Sequence, residues 1–236
     1  MKTFAIAALA GISQATHMGT VDYDFMRFVT EHNKFYGTVE EFDLRKTNFA
    51  VSDLKIKEQN AKIGSFRAAH NKFSDWTDEE YANLMGLRNM DVKTFGYADE
   101  YFSATSTTAN SVDWRDTPNV VTPVKDQGQC GSCWAFSSIE AIESAYVLAG
   151  NDQVIMSEQE LVDCTRSLFG NHGCSGGWYY NSYKWLKNKK TMLESDYPYT
   201  ATDGNCSDDQ SKGVTNVSSY VKVDKDKTSI MAAVEK

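Results

Sequence analysis

All five cysteines of this 236-residue chain fall between Cys130 and Cys206, and all three prolines lie at or beyond Pro118. The first half therefore has no covalent staple and must fold on apolar contacts, whereas the second half can be cross-linked. An odd cysteine count leaves one sulfur unpaired, and spacing alone does not say which. With 41% hydrophobic and 24% charged residues, the chain can bury a sizeable core in one or two globular units. A net charge of −8 leaves no broad basic surface for a phosphate backbone, which excludes nucleic acid as a partner.

Residues 1–15 read as a secretory signal. Lys2 precedes an apolar stretch from Phe4 to Ile12, and Ser13-Gln14-Ala15 offers a small-x-small cleavage site. Nine apolar positions are too few for a bilayer, which needs about 20, so no membrane association is expected once the signal is removed. The expected destination is the secretory pathway, ending in a lysosome-like acidic vacuole or outside the cell, where disulfides persist.

Residues 38–63 contain neither Gly nor Pro and are bracketed by Gly37 and Gly64, which predicts one long helix with Glu41 and Arg45 paired four apart. Upstream, Phe25, Phe28, Val29, His32 and Tyr36 recur at helical spacing and predict a first helix packed on it. Thr77-Asp78-Glu79-Glu80 has the form of a capping box, predicting a short third helix. Between Asn89 and Ser111 the periodicity fades into small polar residues, which reads as a linker, with a cleavage site in the neighbourhood of Thr107 to Asn110. Beyond it, a helix should start at Ser132 or Cys133, with Ser132 as N-cap, and stop at Gly150-Asn151. Ser157 to Glu160 forms a second capping box, Trp178 to Leu186 reads as another helix, Tyr220 to Val223 as a strand, and Ser229 to Glu235 as a last helix.

The chemistry concentrates in Gln129-Cys130-Gly131-Ser132-Cys133-Trp134-Ala135-Phe136. A cysteine in the first turn of a helix meets unpaired N–H groups and a partial positive charge, which favour a thiolate. A helix end contributes only about 0.3–1 kcal/mol, too little to activate a thiol unaided, so a histidine partner is required. Two other readings use the same residues: a redox pair of Cys130 and Cys133, and a zinc site that adds His172 and Cys174. The first wants a strand and a βαβ context before the pair, and the second wants repeated short ligand spacings. Neither is present, so no metal and no cofactor are expected.

Cys130 to Trp134 matches, at every position, the Cys-Gly-[Ser/Ala]-Cys-[Trp/Tyr] signature of the papain-like cysteine proteases, and the chain resembles that family over nearly its whole length after the signal. The resemblance includes Val112-Asp113-Trp114-Arg115, similar to the opening of the mature enzymes. It implies Cys133 as nucleophile and Gln127 as the side-chain donor to the oxyanion hole. It implies that Gly131, Gly176, Gly177, Trp178 and Tyr179 bind substrate, with the glycines letting backbone approach closely. It pairs Cys130 with Cys174 and Cys164 with Cys206, leaving Cys133 free. Upstream, Glu41, Arg45, Phe49, Ile56 and Asn60 resemble the helix of the inhibitory cathepsin L-like prosegment, with Ser52 replacing its first asparagine. Asn71, Phe73 and Asp75 resemble the motif that follows, with Ala69 replacing its glycine. Such a prosegment lies along the cleft in the direction opposite to substrate.

The implied fold is α+β: a helical prosegment, the mostly helical left domain of a papain-like fold, and only the first elements of the right, barrel-like domain. The corresponding segments are 1–15 signal, 16–109 prosegment with linker, 110–219 the half carrying the nucleophile, and 220–236 the start of the other half. The implied function is that of a zymogen of a cysteine endopeptidase, working through a Cys133 acyl-enzyme on polypeptide substrates. Its own prosegment acts as intramolecular inhibitor, cystatin-like proteins are implied as further inhibitors, and a monomer is expected. The family's histidine is expected about 130–150 residues after the nucleophile. None of His17, His32, His70 and His172 matches that position, so these 236 residues are expected to be inactive alone. The alternative is a non-catalytic inhibitor of the prosegment type. Asn216-Val217-Ser218 is a glycosylation sequon.

Overall fold

The computed structural model describes residues 19–86, 100–166 and 169–236. The expected signal at residues 1–15 lies outside them. Contacts divide the chain into two compact units, one ending at Asp78 and one running from Glu79 to Lys236.

In the first unit, α1 (Thr20–Glu31) packs against α2 (Val39–Ala61). The long helix starts where the breakers predict, because the Thr38 hydroxyl accepts the Glu41 N–H (3.1 Å). Buried Phe25, Phe28 and Phe49 form the core, with Val29, Tyr36 and Phe42 against it. Phe49 meets Phe28 at 5.0 Å between ring centroids and stacks on His70 at 4.2 Å. The periodicity overextends the first helix. It ends at Glu31, the chain turns through Asn33 at φ +50°, and Tyr36 joins the aromatic cluster from outside the helix.

The second unit is built on α4 (Cys133–Leu148), which packs against α5 (Glu158–Cys164) and α6 (Tyr179–Leu186). A six-residue helix, α3 (Asp78–Asn83), precedes them across the division between units. Trp134, Ala135, Ile139, Ile142, Leu161, Val162, Trp185 and Leu186 are buried together between these helices, with Met156. Gly150 at φ +92° takes the chain out of α4, a conformation that a Cβ would oppose. At the start of α5 the Ser157 hydroxyl accepts the Glu160 N–H (3.0 Å). The box is half made, because the Glu160 carboxylate turns inward to the Met192 N–H (2.9 Å) and the Thr191 hydroxyl (3.1 Å).

Residues 100–111 are not the featureless linker that their composition predicts. Glu100–Phe102 forms β1, paired in parallel with β2 (Val221–Val223), so that Tyr101 lies opposite Lys222. Helix α7 (Lys227–Val234) follows, capped by the Asp226 carboxylate on the Ser229 N–H (2.9 Å). Three residues are too short a run for alternation to register, and only the partner strand, more than a hundred residues later in the chain, makes them a strand. Among the described residues no helix is long and apolar enough to cross a membrane.

Candidate active site

Cys133 is the first residue of α4, half-buried between buried Ser132 and Trp134. Helix hydrogen bonds begin at once, with the Ala135 and Phe136 N–H groups both donating to the Ser132 carbonyl (2.8 and 3.2 Å). Ser132 sits at the N-cap position, as its residue type suggests, but its hydroxyl makes no cap. It bonds instead to the Tyr199 hydroxyl at 2.6 Å, and that hydroxyl also lies 2.8 Å from the Gln127 carbonyl. Tyr199 thus ties the turn carrying Gln127 to the residue before the nucleophile, a role that nothing in its local sequence signals.

The structure joins Cys130 to Cys174 and Cys164 to Cys206, and leaves Cys133 as the free thiol. Cys130 and Cys133 therefore form no redox pair here, and two of the sulfurs that a zinc site would need are occupied. The first bridge holds the approach to α4 against the loop before α6, where the Gly131 N–H also donates to the Cys174 carbonyl (2.9 Å). Asn171 Oδ1 accepts the Trp178 N–H (2.8 Å), and Asp203 accepts the Cys174 N–H (2.7 Å), so that this loop is pinned from two sides.

Between these walls lies the chain's own segment 83–86, within the same unit. The Gln127 side-chain amide donates to the Leu84 carbonyl (3.1 Å) as well as to the Cys130 carbonyl (2.7 Å). The Gly177 N–H donates to the Gly86 carbonyl (3.0 Å). A Cβ on Gly86 would stand 2.2 Å from the Gly131 oxygen and 3.3 Å from Cys133 Sγ, and one on Gly176, at φ +118°, would stand 2.2 Å from the Gly86 oxygen. Close approach of backbone to backbone is what the glycines at 86, 131 and 176 permit. Gln127, Gly131, Gly176 and Gly177 are thus brought around segment 84–86, whose Gly86 lies beside Cys133. Trp178 borders the loop, and Tyr179 is exposed and edge-on to Trp178 at 6.1 Å. Sequence reasoning missed Gly86 and Leu84; the lone glycine just after the third helix was the only signal.

Behind the site, Lys125 bridges two buried carboxylates, Glu143 (2.7 Å) and Glu158 (2.5 Å). Glu143 also accepts the Met156 N–H (2.7 Å) and the Thr122 hydroxyl (2.8 Å). Burial pushes Glu158 up to about 7 despite the cation. Burial opposes the charge on Lys125, but its hydrogen bonds to Glu143 and Glu158 hold it above the usual range. This cluster ties the residues before α4 to α4 and α5.

The residues resembling a prosegment lie on one side of α2. Glu41, Arg45, Ile56 and Asn60 are half-buried and Phe49 is buried. Glu41 pairs with Arg45 at 3.6 Å, and the Asn60 amide makes two bonds to the Ala68 backbone (2.7 and 2.8 Å). Asn71 Oδ1 accepts the Phe73 N–H (2.9 Å), and Phe73 packs edge-on against Trp76. Asp75 is buried, accepting from Lys34 (2.8 Å) and Tyr36 (2.9 Å).

Residues 108–236 match the family described as papain family cysteine protease, and residues 25–81 match the cathepsin propeptide inhibitor domain. A cathepsin L-like proteinase of Phaedon cochleariae is 36% identical, over 98% of this chain and 71% of its own length. Pro-cathepsin H of Mus musculus is 36% identical over 85% of this chain, which spans 60% of it. For digestive cysteine proteinase 3 of Homarus americanus the figures are 37%, 87% and 63%. The chain thus spans between three fifths and three quarters of the length of these relatives. Among solved structures, a digestive procathepsin L 3 from Tenebrio molitor larval midgut superposes with a TM-score of 0.78 at 34% identity, covering 93% of this chain and 71% of that one.

Proposed function

Since the chain belongs to the papain family of cysteine proteases and carries a cathepsin-type propeptide inhibitor domain, we propose that it is the zymogen of an endopeptidase whose nucleophile is Cys133. The observation that carries this reading is the grip on segment 83–86. Gln127 and Gly177 hold backbone carbonyls of the chain beside the thiol, with the donors that an extended peptide substrate would use. Once that segment leaves, the Gln127 amide is free to receive a scissile carbonyl. The Cys133 sulfur attacks that carbon, Gln127 stabilises the developing oxyanion, the amine leaves, and water hydrolyses the thioester.

This reading calls for a histidine as the thiol's base. His172 is exposed. His32 and His70 pack against Phe28 and Phe49 in the first unit. The 236 residues alone are accordingly expected to leave peptide substrates uncut. Polypeptide substrates, cystatin-like inhibitors, and a secretory route to an acidic vacuole or the exterior belong to the same proposal.

The test uses an epoxide directed at thiols. Labelling of Cys133, located by mass spectrometry, should rise at least tenfold when the segment ending at Gly86 is removed by proteolysis. Equal labelling before and after removal would refute the zymogen reading.

A further inference from the structure

Glu235, just past the end of α7, spends its whole carboxylate on one stretch of the segment expected to be cut. Its Oε2 accepts both the Thr108 N–H and the Thr108 hydroxyl (2.9 Å each), and its Oε1 accepts the Ala109 N–H (3.0 Å). The stretch is anchored on both sides. Upstream, the Ala104 N–H donates to the Ser229 hydroxyl (3.0 Å), and the Phe102 carbonyl accepts the Asp224 N–H (3.0 Å). Downstream, the Trp114 indole donates to the Val234 carbonyl (2.7 Å). Thr105, Ser106 and Thr108 remain exposed, so a protease can reach the chain there.

We propose that Glu235 is a binding site for an α-ammonium group, the new chain terminus made when the Thr107–Thr108 bond is hydrolysed. Water supplies the balance: its hydroxyl goes to the Thr107 carbonyl carbon, which becomes a carboxylate, and the Thr108 nitrogen takes up protons to become an ammonium. That nitrogen already donates to the Glu235 carboxylate, so the cut turns a charge-assisted hydrogen bond into an ion pair without moving the acceptor. The Thr108 hydroxyl and the Ala109 N–H keep their places. A cut after Ala109 would forfeit all three bonds, and a cut before Thr107 would leave the new ammonium a residue short of the carboxylate. The hydrogen bonds from the Thr108 and Ala109 backbones hold the Glu235 carboxyl below its usual range, so it stays ionised where an ammonium is fully formed. The papain-family match begins at this same residue, 108.

This inference rests on the zymogen reading for the existence of a cut, but its test does not need the chain's own turnover. The full chain is digested with an added papain-type endopeptidase, and the new terminus is read by mass spectrometry. The expected terminus is Thr108. Its amine should react with an acylating reagent about threefold more slowly than the amine of a free Thr-Ala-Asn peptide, the size of an exposed ion pair. Glu235→Gln should remove the difference, and so should 1 M salt, which screens exposed charges. A terminus at any other residue, or equal rates in the wild-type protein and the free peptide, would overturn the proposal. Should Glu235→Gln fail to fold, the wild-type comparison and its salt dependence decide alone. Epoxide labelling of Cys133 in the same digest reports on the zymogen reading separately.

Discussion

Glu160 sits in the interior of the second unit with its carboxylate on the Met192 N–H and the Thr191 hydroxyl, and burial pushes it up to about 7 against those two bonds. Burial does the same to Glu158. Each carboxyl therefore holds a proton in the folded chain at a pH where the unfolded chain, with its ordinary value of 4.5, has released it. The folded state binds more protons over that window, so stability falls as pH rises from 4.5 to about 7. The expected melting temperature is highest in mild acid, and Glu160→Gln, which mimics the protonated form, should flatten the decline. Melting curves at half-unit intervals of pH test this, and a flat wild-type profile would contradict it. Gly86 allows a second prediction at the same scale. Because an added Cβ would meet the backbone oxygen of Gly131, which cannot swing aside as a side-chain end can, Gly86→Ala should loosen the segment over Cys133. Alkylation of Cys133 in the uncut chain should accelerate roughly tenfold, the effect of about 1.4 kcal/mol lost from a local closure.

Capping chemistry separates two helices that look alike in sequence. Ser157 caps α5 through the Glu160 N–H and also donates to the Tyr197 carbonyl at 2.6 Å. Ser157→Ala should cost about 1–2 kcal/mol in urea denaturation, at the upper end for an N-cap because a buried acceptor is orphaned as well. Ser132, before α4, has the same residue type and position but gives its hydroxyl to Tyr199. The first N–H groups of α4 thus receive no bond from that side chain, which keeps the positive end of the helix facing the Cys133 sulfur. Ser132→Ala should accordingly leave the helicity of α4 unchanged, as followed by hydrogen exchange along residues 133–148.

For the whole molecule, both disulfides lie in the unit that begins at Glu79, and the described residues of the unit ending at Asp78 are held by non-covalent contacts, among them the aromatic core, the Asp75 bonds and the Asn60 bonds to Ala68. Reduction should destabilise the second unit by about 2–5 kcal/mol, the usual loss of native bridges, and leave the first untouched. Hydrogen exchange with and without reductant, in a Cys133→Ser background that prevents reshuffling, checks this. Loss of protection in α1 and α2 on reduction would contradict the division.

The helices were legible because each writes its period, breakers and caps into contiguous residues: Gly37 and Gly64 around α2, Ser157 before α5, Gly150 after α4. The identity of the thiol's neighbourhood was legible too, since Cys130 to Trp134 form one unbroken signature. What no local window could hold was decided by the tertiary structure. Glu100–Phe102 became a strand only against Val221–Val223, and Tyr199 reached Gln127 and Ser132 from about seventy positions away. The Leu84 and Gly86 carbonyls met Gln127 and Gly177 from 43 and 91 positions away. Local propensity costs little chain entropy and so is set by neighbours in sequence. Contacts that close long loops form only when burial and hydrogen bonding elsewhere have already brought their ends together.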